Sequence, residues 1–228
     1  MSTMSLAVKE GVHVLTLINN ENENKLNLDV INEYLAALDV VEAFEGNTAL
    51  LITCEHEKTF STGIDLEWLM GCNEEQRAEF VLTLEKLLYR LALLNAPSVT
   101  CLNGNAYAGG AIIASAADFR VMRSDRGRFC YPEVNIHIPF TPMMVDVIDL
   151  IPNKHALKHM ALTGAAYTGE ECAALNIVDS VYPQDQLQQQ AMNMAKMLAE
   201  KDRATYTTIK RRLRPKISRH AQALGFAS

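Results

Sequence analysis

The sequence predicts an α/β fold built on a mostly parallel sheet. Short apolar runs alternate with longer stretches of helical spacing along most of the 228 residues. The run TALLITC at 48–54 is apolar without alternation, as a parallel strand covered on both faces requires. Size agrees: with 49% hydrophobic and 21% charged residues, the chain makes one medium domain, or one domain with a short appendage. It folds without metal or disulfide staples.

Residues 5–9 and 12–18 read as a strand hairpin turning at Gly11. After a polar loop at 21–24, apolar side chains at Val30, Ile31, Tyr34, Leu35, Leu38 and Val41 give helical spacing over 28–41. Strand 48–54 follows. Residues 60–65 (FSTGID) form a loop into a short helix. Asn73 is placed to cap a long helix reaching about Asn95, with Glu74 and Glu75 in its positive first turn. Pro97 ends it. Residues 98–102 are a short apolar strand, 103–110 (NGNAYAGG) a loop, 111–117 a helix of small residues and 119–122 a strand. A basic turn at 123–128 leads to the segment FCYPEV at 129–134. Helical patterns follow at 143–150 and 155–162, and Thr168 caps another with Glu170 and Glu171 in its first turn. Residues 178–181 are a last strand, and 185–201 and 204–214 are amphipathic helices. The expected division is a core at 1–185 and a helical C-terminal appendage at 186–228.

Composition excludes several function classes. A net charge of −6 and a pI near 5.5 argue against a nucleic-acid binder. Five cysteines (Cys54, Cys72, Cys101, Cys130, Cys172) form no CxxC pair and stand beside no histidine at ligand spacing, so no metal site is expected. They read as small core residues in a reducing compartment. No basic region precedes an apolar core at the N-terminus, and no apolar run approaches the ~18 residues of a membrane span. The end Phe226-Ala227-Ser228 matches no address or lipidation motif. The expectation is a cytoplasmic protein with no membrane partner.

Two strand-to-helix junctions carry the chemistry. Ala108-Gly109-Gly110-Ala111 follows strand 98–102 and opens a helix, where unpaired N–H groups and the positive dipole end meet. Its glycines either let a ligand approach the backbone or only permit tight packing. It is neither GxGxxG nor a P-loop. FSTGID is a junction of the same type, with Asp65 as helix cap. Ligands of open α/β folds bind beyond the carboxyl ends of the strands. Both loops would then offer N–H groups to one crevice, the requirement for an oxyanion hole.

These residues also carry a family pattern. FSTGID, then NGNAYAGGAIIASAADFRV, then YPEVNIHIP resembles the crotonase (enoyl-CoA hydratase/isomerase) superfamily. So do Asn24-Lys25-Leu26-Asn27 and Leu162-Thr163-Gly164 with the TGEECA run at 168–173. The resemblance spans roughly residues 5–185. It implies a spiral of ββα turns, a homotrimer or dimer of trimers closed by the C-terminal helices, and an acyl-CoA thioester as substrate. Coenzyme A arrives with that substrate, and no separate cofactor is implied. The oxyanion N–H groups map to Ile64 and Gly109, and the coenzyme A contacts to the segment around Lys25, Ser61, Gly63 and Asp65.

One departure selects the reaction. Hydratases of the superfamily place a glutamate three residues after the oxyanion glycine, and here that position is Ile112. The glutamate of the P-E motif is present as Glu133. A single carboxylate can shuttle a proton, so the resemblance is nearest to Δ3-Δ2-enoyl-CoA isomerases. The alternatives are hydratase or thioester-hydrolase chemistry, or a noncatalytic acyl-CoA-binding protein. His137 stands where the family has glycine, followed by Pro139, Phe140 and Pro142, and is either a second acid/base group or a wall residue. His155 and His159 sit at i, i+4 without an HExxH carboxylate. Arg211, Arg212, Arg214 and Lys216 form a basic cluster that is either a solvated face or a coenzyme A phosphate contact.

Overall fold

The computed structural model describes residues 2–226; Met1, Ala227 and Ser228 of the termini discussed above lie outside the described residues. The hairpin β1 (Met4–Lys9) and β2 (Val12–Leu17) opens the chain, followed by α1 (Leu28–Ala43) and β3 (Ala49–Cys54). Then come β4 (Thr59–Ser61), α2 (Leu66–Gly71), α3 (Glu74–Ala92), β5 (Ser98–Leu102), β6 (Asn105–Tyr107) and α4 (Gly109–Ala116). Next are β7 (Phe119–Arg123), β8 (Arg128–Cys130), α5 (Glu133–Ile136), α6 (Pro142–Ile148), α7 (Lys154–Thr163) and β9 (Ala166–Thr168). The chain ends with α8 (Gly169–Ala174), β10 (Ser180–Tyr182), α9 (Gln184–Ala199), α10 (Arg203–Leu213) and α11 (Pro215–Ser218).

Six strands form the main sheet in the order β1-β2-β3-β5-β7-β10, parallel throughout except for the β1–β2 hairpin. The apolar run at β3 splits between two cores. Leu50 and Ile52 face α1 and α3, whereas Ala49 and Leu51 face Leu187, Ala191, Ala195 and Leu198 of α9. Side chains alternate faces along a strand, so only a sheet covered on both sides buries all six residues. Helix α9, which opens the segment after residue 185, is thus the cover of one sheet face.

A second sheet, β4-β6-β8-β9, corrects the expected loops. Residues 60–61 belong to β4, the expected loop at 103–110 contains β6, and residues 166–168 are β9. Each of these strands has three residues, too few to show a period. Their pairing is tertiary: β4, β6 and β8 run parallel, and β9 antiparallel to β8. The helix caps follow the sequence. Asn73 and Thr168 each form a capping box, with Gln76 and Glu171 respectively.

The basic cluster near the C-terminus is divided. Arg214 lies 2.9 Å from Asp118, and Lys216 pairs with Asp149 at 2.7 Å. Asp118, almost covered, also meets buried Lys210 at 2.7 Å and Tyr206 Oη at 3.1 Å. This clamp fixes α10 beside the start of β5. Asp118→Ala strands two buried cations without their counter-charge. We expect a loss of about 3–5 kcal/mol, read as a lower urea midpoint. Of the cluster, Arg211 and Arg212 alone make no ion pair among the described residues, so Arg214 and Lys216 serve the fold.

Candidate active site

The second sheet positions the site. Its three parallel strands each end just before one site residue: β4 ends at Ser61 before Ile64, β6 at Tyr107 before Gly109, and β8 at Cys130 before Glu133. Ile64, Gly109 and Glu133 line one cavity of about 240 Å³. Residues far apart in the chain converge because three neighbouring strands stop at the same level.

The Ile64 turn is stitched to the segment before α1. Leu26 N–H donates to Gly63 O at 2.8 Å, and Asp65 N–H to Leu26 O at 2.9 Å. Between these bonds the Ile64 N–H has no protein acceptor among the described residues. The same holds for Gly109 N–H, at the first position of α4. The two turns touch. A Cβ added to Gly63 would stand 2.7 Å from Gly109 N, and Gly63 has φ +87°. A Cβ on Gly110 would stand 2.6 Å from Ser61 O, so α4 can lie this close to β4 only with glycine there. Ala108, between β6 and α4, has φ +47°, a strained value for a non-glycine residue, held by its N–H to Cys130 O at 3.1 Å. Two unpaired N–H donors beside one mostly apolar cavity can hold an oxygen that gains negative charge.

Ser61 Oγ donates to Asn24 O at 2.7 Å and accepts from Gly63 N–H at 3.1 Å. Asp65 caps α2 by accepting from Trp68 N–H. The side chains of Ser61 and Asp65 therefore shape the turn. Lys25 is half-buried on the adjoining strip, so the structure brings Lys25, Ser61, Gly63 and Asp65 close in the fold, and none of the four lines the cavity.

Glu133 opens the short helix α5 and is 6% exposed. Its Oε2 is buried without a hydrogen-bond partner among the described residues. Burial in apolar surroundings pushes its carboxyl up to about 7. Tyr131, two residues earlier, shares a 2.5 Å hydrogen bond with Ser115 of α4. That bond ties the Glu133 segment to the helix that begins at Gly109. Sequence reasoning missed it: both residues stand in the quoted stretches, but nothing local pairs one with the other.

Ile112 lines the cavity one turn after Gly109, as its spacing predicts, and is nearly fully buried. With Phe80, Leu84 and Met144 it makes an apolar floor. His137 is exposed, caps α5 in the left-handed conformation and lines a neighbouring groove instead. His159 Nδ1 lies 2.7 Å from Tyr167 Oη, so the two i, i+4 histidines do not meet over a shared ligand. All five cysteines are free and buried. Among the described residues no helix is long and apolar enough to cross a membrane.

Comparisons with known proteins agree with this architecture. The chain is 29% identical over 219 residues to enoyl-CoA delta isomerase 3 of Arabidopsis thaliana, covering 92% of each chain. It is also 29% identical to a short-chain-enoyl-CoA hydratase of Clostridium acetobutylicum, over 85% of this chain and 72% of that one. Its fold superposes on human mitochondrial delta3-delta2-enoyl-CoA isomerase with a TM-score of 0.88, at 23% identity, over 97% of this chain and 87% of the other. The family model described as enoyl-CoA hydratase/isomerase matches residues 7–226, and with the crotonase-type sheet and helix arrangement, this chain belongs to that family.

Proposed function

We propose that the protein moves a double bond from the 3- to the 2-position of an enoyl-CoA thioester. The observation that carries this reading is that Glu133 is the one carboxylate among the described residues lining the cavity, where Ile112 supplies an apolar wall. Hydration needs one group to deprotonate water and another to deliver a proton to the adjacent carbon. Isomerisation needs one group that does both in turn.

In this mechanism the thioester oxygen sits against the N–H groups of Ile64 and Gly109. The Glu133 carboxylate removes a proton from C2, and the electron pair flows into the thioester to give a dienolate. The two N–H donors stabilise that oxyanion, each by about 2.7–4 kcal/mol. Protonated Glu133 then returns the proton to C4, and the double bond settles between C2 and C3 in conjugation. The apolar floor keeps water from the dienolate. The strip around Lys25, Ser61, Gly63 and Asp65 holds the coenzyme A arm.

A base at about 7 is matched to neutral pH. The base must be ionised, so kcat/KM is expected to fall about tenfold per pH unit below about pH 7 and to level off above it. A flat profile from pH 5 to 8 contradicts the assignment. The shuttle itself is tested with 3-hexenoyl-CoA deuterated at C2. Part of the deuterium is expected at C4 of the product, and product with none there removes Glu133 as a single carrier.

The trimer belongs to the same proposal. It is supported by exposed apolar side chains on α5, α6 and α7, namely Val134, Val145 and Leu162. Light scattering is expected to give three or six times the 25.3 kDa monomer.

A further inference from the structure

A proton carrier must stay within reach of the carbons it serves while the oxyanion stays on its donors. Glu133 does not fix itself there. Its Oε2 has no hydrogen-bond partner among the described residues, and its helix α5 has only four residues. Whatever holds it must act through the backbone that carries it.

Two ties link that backbone to the turn and helix of Gly109. One is a main-chain bond, from Ala108 N–H to Cys130 O at 3.1 Å. The other joins side chains: Tyr131 Oη lies 2.5 Å from Ser115 Oγ, and both residues are fully buried. Ser115 Oγ also donates to Ala111 O at 2.7 Å, which uses its one proton. The Tyr131 hydroxyl is therefore the donor to Ser115. A hydrogen-bonded chain thus runs from two residues before Glu133 to two residues after Gly109. The far end of α4 is anchored as well, because buried Arg120 donates to Ala117 O at 3.2 Å and to Ile177 O at 3.0 Å.

Packing alone does not call for this pair. The Tyr131 ring is held between Phe129 and Phe140, with centroids 5.5 and 6.1 Å away. Phenylalanine opposite alanine would fill the same place with no buried polar group to satisfy. A hydrogen bond adds what apolar contact lacks, a set distance and direction.

We infer that the Tyr131–Ser115 hydrogen bond sets where Glu133 stands relative to the Ile64 and Gly109 N–H groups, which makes Tyr131 a positioning residue for the proton shuttle. The inference rests on reading Glu133 as the base.

The test is steady-state turnover of 3-hexenoyl-CoA by Tyr131→Phe and Ser115→Ala, which remove the same bond from its two ends. A small misplacement of a catalytic group is costly, so each is expected to lower kcat about ten- to a hundredfold. KM is expected to stay within about twofold, and the double variant to fall no further than either single one. Ser115→Ala strands the buried Tyr131 donor, whereas Tyr131→Phe leaves the Ser115–Ala111 bond intact. The urea midpoint of Ser115→Ala is therefore expected to be the lower, although the two kcat losses match. The second arm adds Tyr131→Phe to Glu133→Gln. With no base left to position, residual kcat is expected to stay within about twofold of Glu133→Gln alone. A further loss there as large as in the parent, or a Tyr131→Phe kcat equal to the parent's, overturns the inference while Glu133 remains the base. Parent-like turnover in Glu133→Gln sinks the base reading and this inference with it.

Discussion

Glu133→Gln is expected to lower kcat on a 3-enoyl-CoA by about 10³- to 10⁴-fold with little change in KM. A general acid/base contributes roughly 10²–10⁴, and here one group serves both proton transfers. The same substitution is expected to stabilise the fold at alkaline pH. Burial holds Glu133 at about 7, above the usual 4.5. Below pH 4.5 both folded and unfolded chains carry it protonated. Between 4.5 and about 7 the unfolded chain ionises and the folded chain does not, so folding takes up a proton and stability falls as pH rises. Above about 7 the loss is complete, and the shift corresponds to about 3 kcal/mol. Glutamine has no such titration. The parent should lose stability between pH 4.5 and 7 in urea unfolding, while Glu133→Gln should not, and at pH 8 the variant should be the more stable. Equal pH slopes for the two proteins would contradict the buried carboxyl.

Gly63→Ala is the second large effect. The added Cβ would press on Gly109 N at 2.7 Å, Ala108 Cβ at 2.8 Å and Tyr107 O at 2.9 Å, all parts of the opposite turn. The two N–H donors would have to separate. Loss of one donor costs about 10²- to 10³-fold in kcat, and that fall is expected here. The left-handed φ adds about 1–2 kcal/mol of destabilisation. Gly71→Ala is the control, because a Cβ there meets nothing within 4 Å. Its kcat should match the parent. A Gly63→Ala protein that folds and turns over normally would remove the two-turn oxyanion site from the account.

Much of this fold is legible in the sequence where a period or a cap marks it. Helix α1 announces itself by spacing, α3 by the Asn73 cap, and β3 by a continuous run with little polar character. The three-residue strands β4, β6 and β9 do not, since their only signal is a neighbour far away in the chain. Of these, β4 and β6 aim the site, so the loops that end in Ile64 and Gly109 could be read as ligand-facing without the sheet that holds them. Glu133 is singled out only by its family pattern; residues of α4, α6 and 138–139 line the cavity with it, and no local window contains them all. Arg214 and Lys216 look like a free basic face until Asp118 and Asp149 are brought against them.

The central claim is that one buried carboxylate in an apolar cavity moves a double bond and adds no water. Product analysis with 3-hexenoyl-CoA and, in parallel, 2-trans-hexenoyl-CoA tests it most directly. The account predicts that the 3-enoyl ester becomes the 2-trans-enoyl ester and that neither sample yields a 3-hydroxyacyl thioester. Formation of 3-hydroxyhexanoyl-CoA at a comparable rate would contradict it, because a second acid/base group would then have to act where Ile112 stands.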